Sequence, residues 1–413
     1  MTPLKASFVV DQQDITVTER VGYFARLGSS RFGRIFVAVV ILAIYAFGQP
    51  WEARGHVSDV HATTLPAWHF VETGSWDVSP YADLNPWFVE TENGVFSMRT
   101  PGILGAAAVG YFLTSPFTDG FYDWPGIVAG IIAAWLSVLL VAASAERLAK
   151  GTWLPAVILF GLGTATWAVS ADQLWPHGPA QLAIAAGLYF MIRGRDTWAG
   201  AFLGLAVLVR PVTIIMGLGM AVTKAATDRT LKPLATIGLP TVAGGVAYLA
   251  FNRIWFGSFS PMAAYDAVGG LIGLEGVGGV VGNQVTALFG LHHGVLVWSS
   301  WLLVCAFGLR WIKGTVPRWL WLTPLVALAY VLVHSSMEIA SGAMVYNYRY
   351  PLEAVALAAP VLLATVPKFE ATKRRKLVLV GAVAASVFLQ VCAVLVARCW
   401  IPAGGEFACS LFG

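Results

Sequence analysis

The sequence predicts an all-α polytopic membrane protein: about 11 transmembrane helices, outer-face juxtamembrane helices and a re-entrant segment. Three observations carry that reading. Of 413 residues, 57% are hydrophobic and only 12% charged, about half the charge of an ordinary soluble domain. The mean hydropathy is +0.71. The apolar residues also gather into runs near the length of about 20 residues that a helix needs to cross a bilayer. This composition excludes an ordinary soluble enzyme, a disordered regulator and a disulfide-stapled secreted module. The net charge of +4 is too small and too dispersed to mark a nucleic-acid partner.

The runs lie near 35–50, 125–148, 153–171, 177–193, 199–223, 233–254, 294–313, 317–337, 350–367 and 377–397. No cleavable signal peptide precedes the first. The 199–223 run carries Arg210-Pro211 at its centre. Proline breaks a helix there, and a bare Arg at bilayer depth is costly unless it faces protein or water. The run therefore reads as two short helices meeting at an outward-facing tip. The segment 101–117, rich in Gly and Ala and short for a crossing, reads as re-entrant. The result is a single transmembrane domain over 1–413. It has a cytoplasmic N-terminus (1–34), a large outer loop (51–124), a second outer loop (255–293) and an outer tail (398–413).

Basic residues orient it. With the N-terminus in the cytoplasm, twenty of the 26 Lys and Arg fall on inner segments, among them every Lys. The six left outside are Arg54, Arg99, Arg210, Arg253, Arg349 and Arg398. The chain is thus expected in the plasma (inner) membrane with its functional face extracytoplasmic. Trp and Tyr in the first outer loop suit the headgroup layer, which predicts amphipathic helices on the membrane surface. Cys305 and Cys392 fall within spans, whereas Cys399 and Cys409 share the outer tail, where a disulfide is permitted.

Those outer arginines are the first candidates for chemistry. A guanidinium donates two parallel hydrogen bonds to phosphate and stays charged when partly buried. Arg99 stands at the entrance of the re-entrant segment, Arg210 at the hinge with no acid nearby in sequence, and Arg349 in Tyr346-Asn347-Tyr348-Arg349-Tyr350-Pro351. The alternative for each is an interfacial Arg snorkelling to headgroups. Asp59, nine residues past the first span, is the leading carboxylate and a candidate general base, against a solvated loop Asp. Asp172 and His177 flank a short outer turn and either line the same cavity or cap a helix. The histidines form no zinc spacing. A hard cation held by Asp59, His61 and the Glu90-x-Glu92 pair is a minor alternative, and no cofactor is otherwise called for.

Together these residues resemble the GT-C superfamily of integral-membrane glycosyltransferases, which use polyprenyl-phosphate-linked sugars. The resemblance runs from about 35 to 370 in feature order. It comprises one span, then a large loop with Asp59, then Ser97-Met98-Arg99-Thr100-Pro101-Gly102, Leu174-Trp175-Pro176-His177 and Val209-Arg210-Pro211. Phe256-Gly257-Ser258 with Tyr265, Leu288-Phe289-Gly290 before Gly294, and Arg349-Tyr350-Pro351 complete it. Bacterial protein O-mannosyltransferases, lipid A aminoarabinose transferases and actinobacterial envelope mannosyl- and arabinosyltransferases are of this kind. The resemblance implies an inverting transferase with Asp59 as base. Arg210, Arg349 and Arg99 would contact the phosphate, with His177, Asp172, Tyr348, Tyr265 and His61 in the substrate site and no metal ligands. The partners implied are a polyprenyl-phosphate sugar donor, a lipid-linked or polysaccharide acceptor of the cell envelope, and membrane lipids. The sequence departs from the pattern in lacking a paired Asp-Glu motif in the loop. Transport of lipid-linked sugars, or a non-catalytic role in envelope assembly, are the competing readings; no paired repeat of the kind transporters carry is visible.

Overall fold

The structure, a computed structural model, describes residues 28, 30–47, 58–267, 276–336 and 347–399. The N-terminus to residue 27, Arg54, His56 and Cys409 lie outside the described residues, as do the side chains of Arg398 and Cys399. The expected disulfide therefore falls beyond them, and Cys305 and Cys392 are free thiols.

The chain is mostly helical. Helix α1 (Arg31–Phe47) leads to α2 (Ser58–Thr73), a hairpin of β1 (Phe88–Thr91) and β2 (Gly94–Ser97), and α3 (Pro101–Thr114). Then follow α4 (Trp124–Leu148), α5 (Trp153–Gly161), α6 (His177–Ile192), α7 (Asp196–Val209), α8 (Ile214–Asp228) and α9 (Leu239–Phe256). The second half holds α10 (Ala263–Asp266), α11 (Val277–Phe289), α12 (Val295–Trp298), α13 (Trp301–Gly308), α14 (Arg318–Trp321), α15 (Thr323–His334), α16 (Leu352–Leu363), α17 (Val366–Phe369) and α18 (Lys373–Cys399).

Among the described residues three helices are long and apolar enough to cross a membrane: Trp124–Leu148, Leu234–Phe256 and Lys373–Leu395. Their apolar surface is not hidden inside the protein: only 28% of the most apolar window of the second and 22% of the third is buried. An apolar face of that extent turned outward needs lipid rather than water against it. The remaining predicted spans are shorter or interrupted. The 153–171 run is a correction, since α5 stops at Gly161 and the chain continues into a π-helical turn, Thr166–Ser170. The 199–223 run breaks as expected: α7 ends where Pro211 removes a backbone donor, and α8 starts three residues on.

Two further expectations are corrected in the first outer loop. The chain is not wholly α, because β1 and β2 pair antiparallel from Phe88↔Ser97 to Thr91↔Gly94. Gly94 adopts φ +131°, and a Cβ there would strike the Asp77 carboxylate. Asp77 Oδ1 accepts hydrogen bonds from the Val95 N–H at 2.9 Å and from the Ser79 N–H and O–H at 3.0 and 2.6 Å, clamping the hairpin. Nor is α2 a surface helix with one apolar face. Val60 through Ala67 are buried, and α2 joins α3 and the hairpin in two small apolar cores of their own. The main core runs through the bundle from Ile41 and Tyr45 to α16.

Candidate functional site

Two of the motifs singled out in the sequence, Ser97–Gly102 and Val209-Arg210-Pro211, meet and bring outer arginines together. Pro211 ends α7, leaving the Val209 carbonyl without a helical donor, and the Thr100 hydroxyl donates to it at 2.7 Å. Gly102 permits this approach: a Cβ there would lie 2.5 Å from the Val209 nitrogen. Arg99 and Arg210, flanking these two contacts, are thereby set at the same end of the bundle. On the β2 side, the Ser97 hydroxyl donates to the Ala62 carbonyl at 2.5 Å and accepts from the Arg99 N–H, tying Arg99 to α2.

Asp59, in the first turn of α2, receives Arg99 Nη2 on Oδ1 at 2.6 Å, while Arg349 Nη1 stands 3.8 Å from Oδ2. Among the described residues, Oδ2 therefore keeps lone pairs free of a hydrogen bond at this distance. The Asp59 side chain is 25% exposed, those of Arg99 and Arg349 14% and 13%. Aromatic faces fix both guanidinium planes: Arg99 lies over Trp87, and Arg349 over Trp175 and Tyr350.

Arg210 anchors the second half of the site. Its Nη1 donates to Glu353 Oε1 at 3.1 Å and meets His177 Nδ1 at 2.6 Å, and its Nη2 donates to His334 Nε2 at 2.8 Å. Glu353 is wholly buried, held also by His177 at 2.9 Å and by the Tyr330 hydroxyl at 3.2 Å. Tyr350 links the halves, its ring 5.0 Å from the Arg349 guanidinium carbon and 5.3 Å from that of Arg210. Counting these groups, three guanidiniums face two carboxylates.

Among the described residues, three buried donors in this cluster have no protein partner: Arg99 Nε, Arg349 Nε and His334 Nδ1. Arg210 can only donate, so His334 Nε2 is the acceptor and Nδ1 carries the ring proton. Buried polar groups are almost always satisfied. Unsatisfied donors around surplus positive charge make an arrangement suited to an anion.

The remaining sequence candidates divide. Tyr265, in α10, lies within electrostatic range of Arg210. Tyr348 is a lock behind the site rather than a lining residue. Its hydroxyl pairs with Ser299 at 2.7 Å and accepts the Ala165 N–H. The preceding Asn347, at φ +101°, donates to Gln390 of α18 and accepts the Tyr348 N–H, which holds the Arg349 segment in place. His61 points away from Asp59, two residues on being about 200° around the helix; it meets Asn85 at 3.2 Å and packs on Phe121. Asp172 is half-buried in the turn that supplies Trp175 and makes no ion pair with the arginines among the described residues. Glu90 and Glu92 are exposed on the hairpin. Among the described residues, no three His, Cys, Asp or Glu side chains form a group able to hold a metal ion.

Arg210 does have an acidic partner, contrary to its sequence setting, but one from α16, far along the chain. Glu353 and His334 are the residues that sequence reasoning missed. The signal for Glu353 was present: it is the sole charge in the apolar stretch 351–366, and an ionisable residue inside such a run is by default functional.

No protein-family model and no curated protein sequence matches the chain. Solved structures do. ArnT from Cupriavidus metallidurans bound to undecaprenyl phosphate matches with a TM-score of 0.56 at 16% identity, over 89% of this chain. The chain spans 64% of that protein's length. The apo state of the same protein matches at TM-score 0.52 and 15% identity, over 89% of this chain and 73% of that one. The chain has a GT-C-like fold by this structural similarity. On that fold, the Asp59 and Arg210 groups lie at the end of the helices opposite a second set of ion pairs. Lys224 binds Asp196 at 2.9 Å and Arg34 binds Glu146 at 3.0 Å. Asp196 opens α7 and Arg210 closes it, about 20 Å apart at 1.5 Å per residue.

Proposed function

We propose that this protein is an inverting glycosyltransferase that moves a sugar from a polyprenyl-phosphate donor to a cell-envelope glycolipid or polysaccharide acceptor. The observation that carries the reading is the convergence of Asp59 with Arg99, Arg349 and the Arg210–Glu353 pair, with orphaned donors around them, on a GT-C-like fold. That ArnT was crystallised with undecaprenyl phosphate supports a lipid phosphate as the anion.

In this scheme Asp59 Oδ2 takes the proton of the acceptor hydroxyl. The hydroxyl oxygen attacks the anomeric carbon, the bond from that carbon to the phosphate oxygen breaks, and the lipid phosphate leaves with the electron pair. Arg349, Arg99 and Arg210 stabilise the charge developing on the phosphate. In a water-poor site such preorganised donors contribute several kcal/mol. Glu353 is a positioning residue: it holds Arg210 and His177 and touches no substrate.

The shorter apolar helices Asp196–Val209, Trp301–Trp311, Arg318–His334 and Leu352–Leu363 are read as partial or broken crossings that complete about 11 spans. The Pro101–Thr114 helix is read as re-entrant and the Asp59 end as extracytoplasmic. Buried charges stand at the two ends of the bundle rather than along it, which favours a transferase over a flippase.

The test is purified protein supplied with a panel of polyprenyl-phosphate sugars and an envelope glycolipid acceptor, read by product mass. The expected result is an acceptor heavier by one sugar with at least one lipid-linked donor and none with nucleotide sugars. Transfer from a nucleotide sugar alone overturns the proposal.

A further inference from the structure

A cavity of about 390 Å³ opens at the other end of the bundle, between α13 with the turn that follows it and the start of α18. Gln390 of α18 reaches the Asn347 segment beside the active cluster, and Arg375 lies fifteen residues earlier on the same helix, about 22 Å away. The cavity is lined by Arg310, Arg374 and Arg375 together with the apolar side chains of Val304, Phe307 and Val378.

The charges here are unbalanced. The Arg375 guanidinium carbon lies 4.3 Å from the Trp311 ring centre and that of Arg310 lies 5.0 Å from it, so two cations share one indole. None of the three guanidiniums makes an ion pair or hydrogen bond among the described residues, and Glu370, the nearest acid in sequence, is exposed and does not pair with them. Two guanidiniums on one indole, with a third lining the same cavity and no carboxylate paired to them among the described residues, leave a local excess of positive charge that an anion would neutralise. The apolar wall limits what that anion is, since Phe307 and Val378 are 63% and 52% exposed. On a helix face turned to lipid they offer a surface for acyl chains directly beside the charged groups. A free anion has no use for such a wall, and a zwitterionic lipid leaves the positive charge unbalanced.

We infer that this cavity binds an anionic phospholipid of the surrounding bilayer, its phosphate between Arg310, Arg374 and Arg375 and its chains along Val304, Phe307 and Val378. The inference rests on the membrane reading of the fold but not on the glycosyltransferase chemistry at the opposite end. Basic pockets between spanning helices are suited to such headgroups.

The test is native mass spectrometry of the delipidated, detergent-solubilised full chain titrated with phosphatidylglycerol, and separately with phosphatidylcholine of the same chains and with inorganic phosphate. Retention of phosphatidylglycerol over phosphatidylcholine is expected, with half-saturation raised about fivefold for each Arg→Gln change. The series comprises Arg374→Gln alone, at an exposed position, and then all three changes together. The Arg374→Lys/Arg375→Lys variant retains binding, and Lys232→Gln, a basic surface residue outside the cavity, leaves it unchanged. Equal retention of both lipids, undiminished phosphatidylglycerol binding by the variants, or displacement of the lipid by inorganic phosphate each overturns the inference.

Discussion

Glu353 illustrates how a single buried charge organises the site. It sits in the first turn of α16, where a helix N-terminus favours a negative group, and three partners converge on it. Removing it leaves Arg210 buried without compensation, a change that costs about 3–5 kcal/mol. Glu353→Ala is therefore expected to lower the melting temperature measurably, whereas Glu353→Gln keeps part of the hydrogen bonding and loses less. A variant as stable as the parent would show that Arg210 does not depend on it. Asp77 supplies a pH-dependent case away from the membrane. Its desolvation acts upward, but the bonds from Ser79 and Val95 prevail and hold its carboxyl below the usual range. A carboxyl lowered on folding stabilises at neutral pH and loses that contribution as pH falls through its lowered pKa. The protection of the Val95 amide against hydrogen exchange, measured relative to its intrinsic rate at each pH, should accordingly fall in acid, and Asp77→Asn should remove that pH dependence.

At the scale of elements, the site depends on how closely α3 seats on the end of α7. A side chain at Gly102 meets backbone rather than a yielding side chain, so Gly102→Leu must push the two helices apart and carry Arg99 away from Arg210. A loss of about 1–3 kcal/mol is expected for such overpacking, with a greater loss of donor binding; Thr100→Val, which removes one hydrogen bond, should cost about 1 kcal/mol. Unaltered donor affinity in Gly102→Leu would show that this contact does not place Arg99. The elements also mark what sequence could reveal. The break at Arg210-Pro211 was legible because proline has a single consequence inside a helix. Asp59, Arg99 and Arg349 stood out because few charges remain once orientation is accounted for. The Arg210–Glu353 pairing was not legible, since it joins α7 to α16 and no local pattern encodes that contact. The hairpin was missed for a related reason: four-residue strands held by Asp77 leave little periodicity to read.

For the whole molecule, two sets of charges separated along the bundle imply two aqueous faces. Asn93 is exposed at the tip of the hairpin and Thr230 is exposed at the far end after α8. In a background without the native cysteines, Asn93→Cys should react with a membrane-impermeant maleimide on intact cells. Thr230→Cys should react only after permeabilisation, and the reverse pattern would invert the assigned orientation. The central claim, that the carboxylate acts on the acceptor while the guanidiniums hold the lipid phosphate, is tested most directly by reading donor binding and turnover together. For purified protein with a polyprenyl-phosphate sugar, Asp59→Asn is predicted to bind the donor as well as the parent and to turn over about 10²–10⁴-fold more slowly. Arg349→Gln is predicted to weaken donor binding in the same assay. Turnover that survives Asp59→Asn unchanged, or donor binding lost with it while Arg349→Gln binds normally, would contradict the assignment.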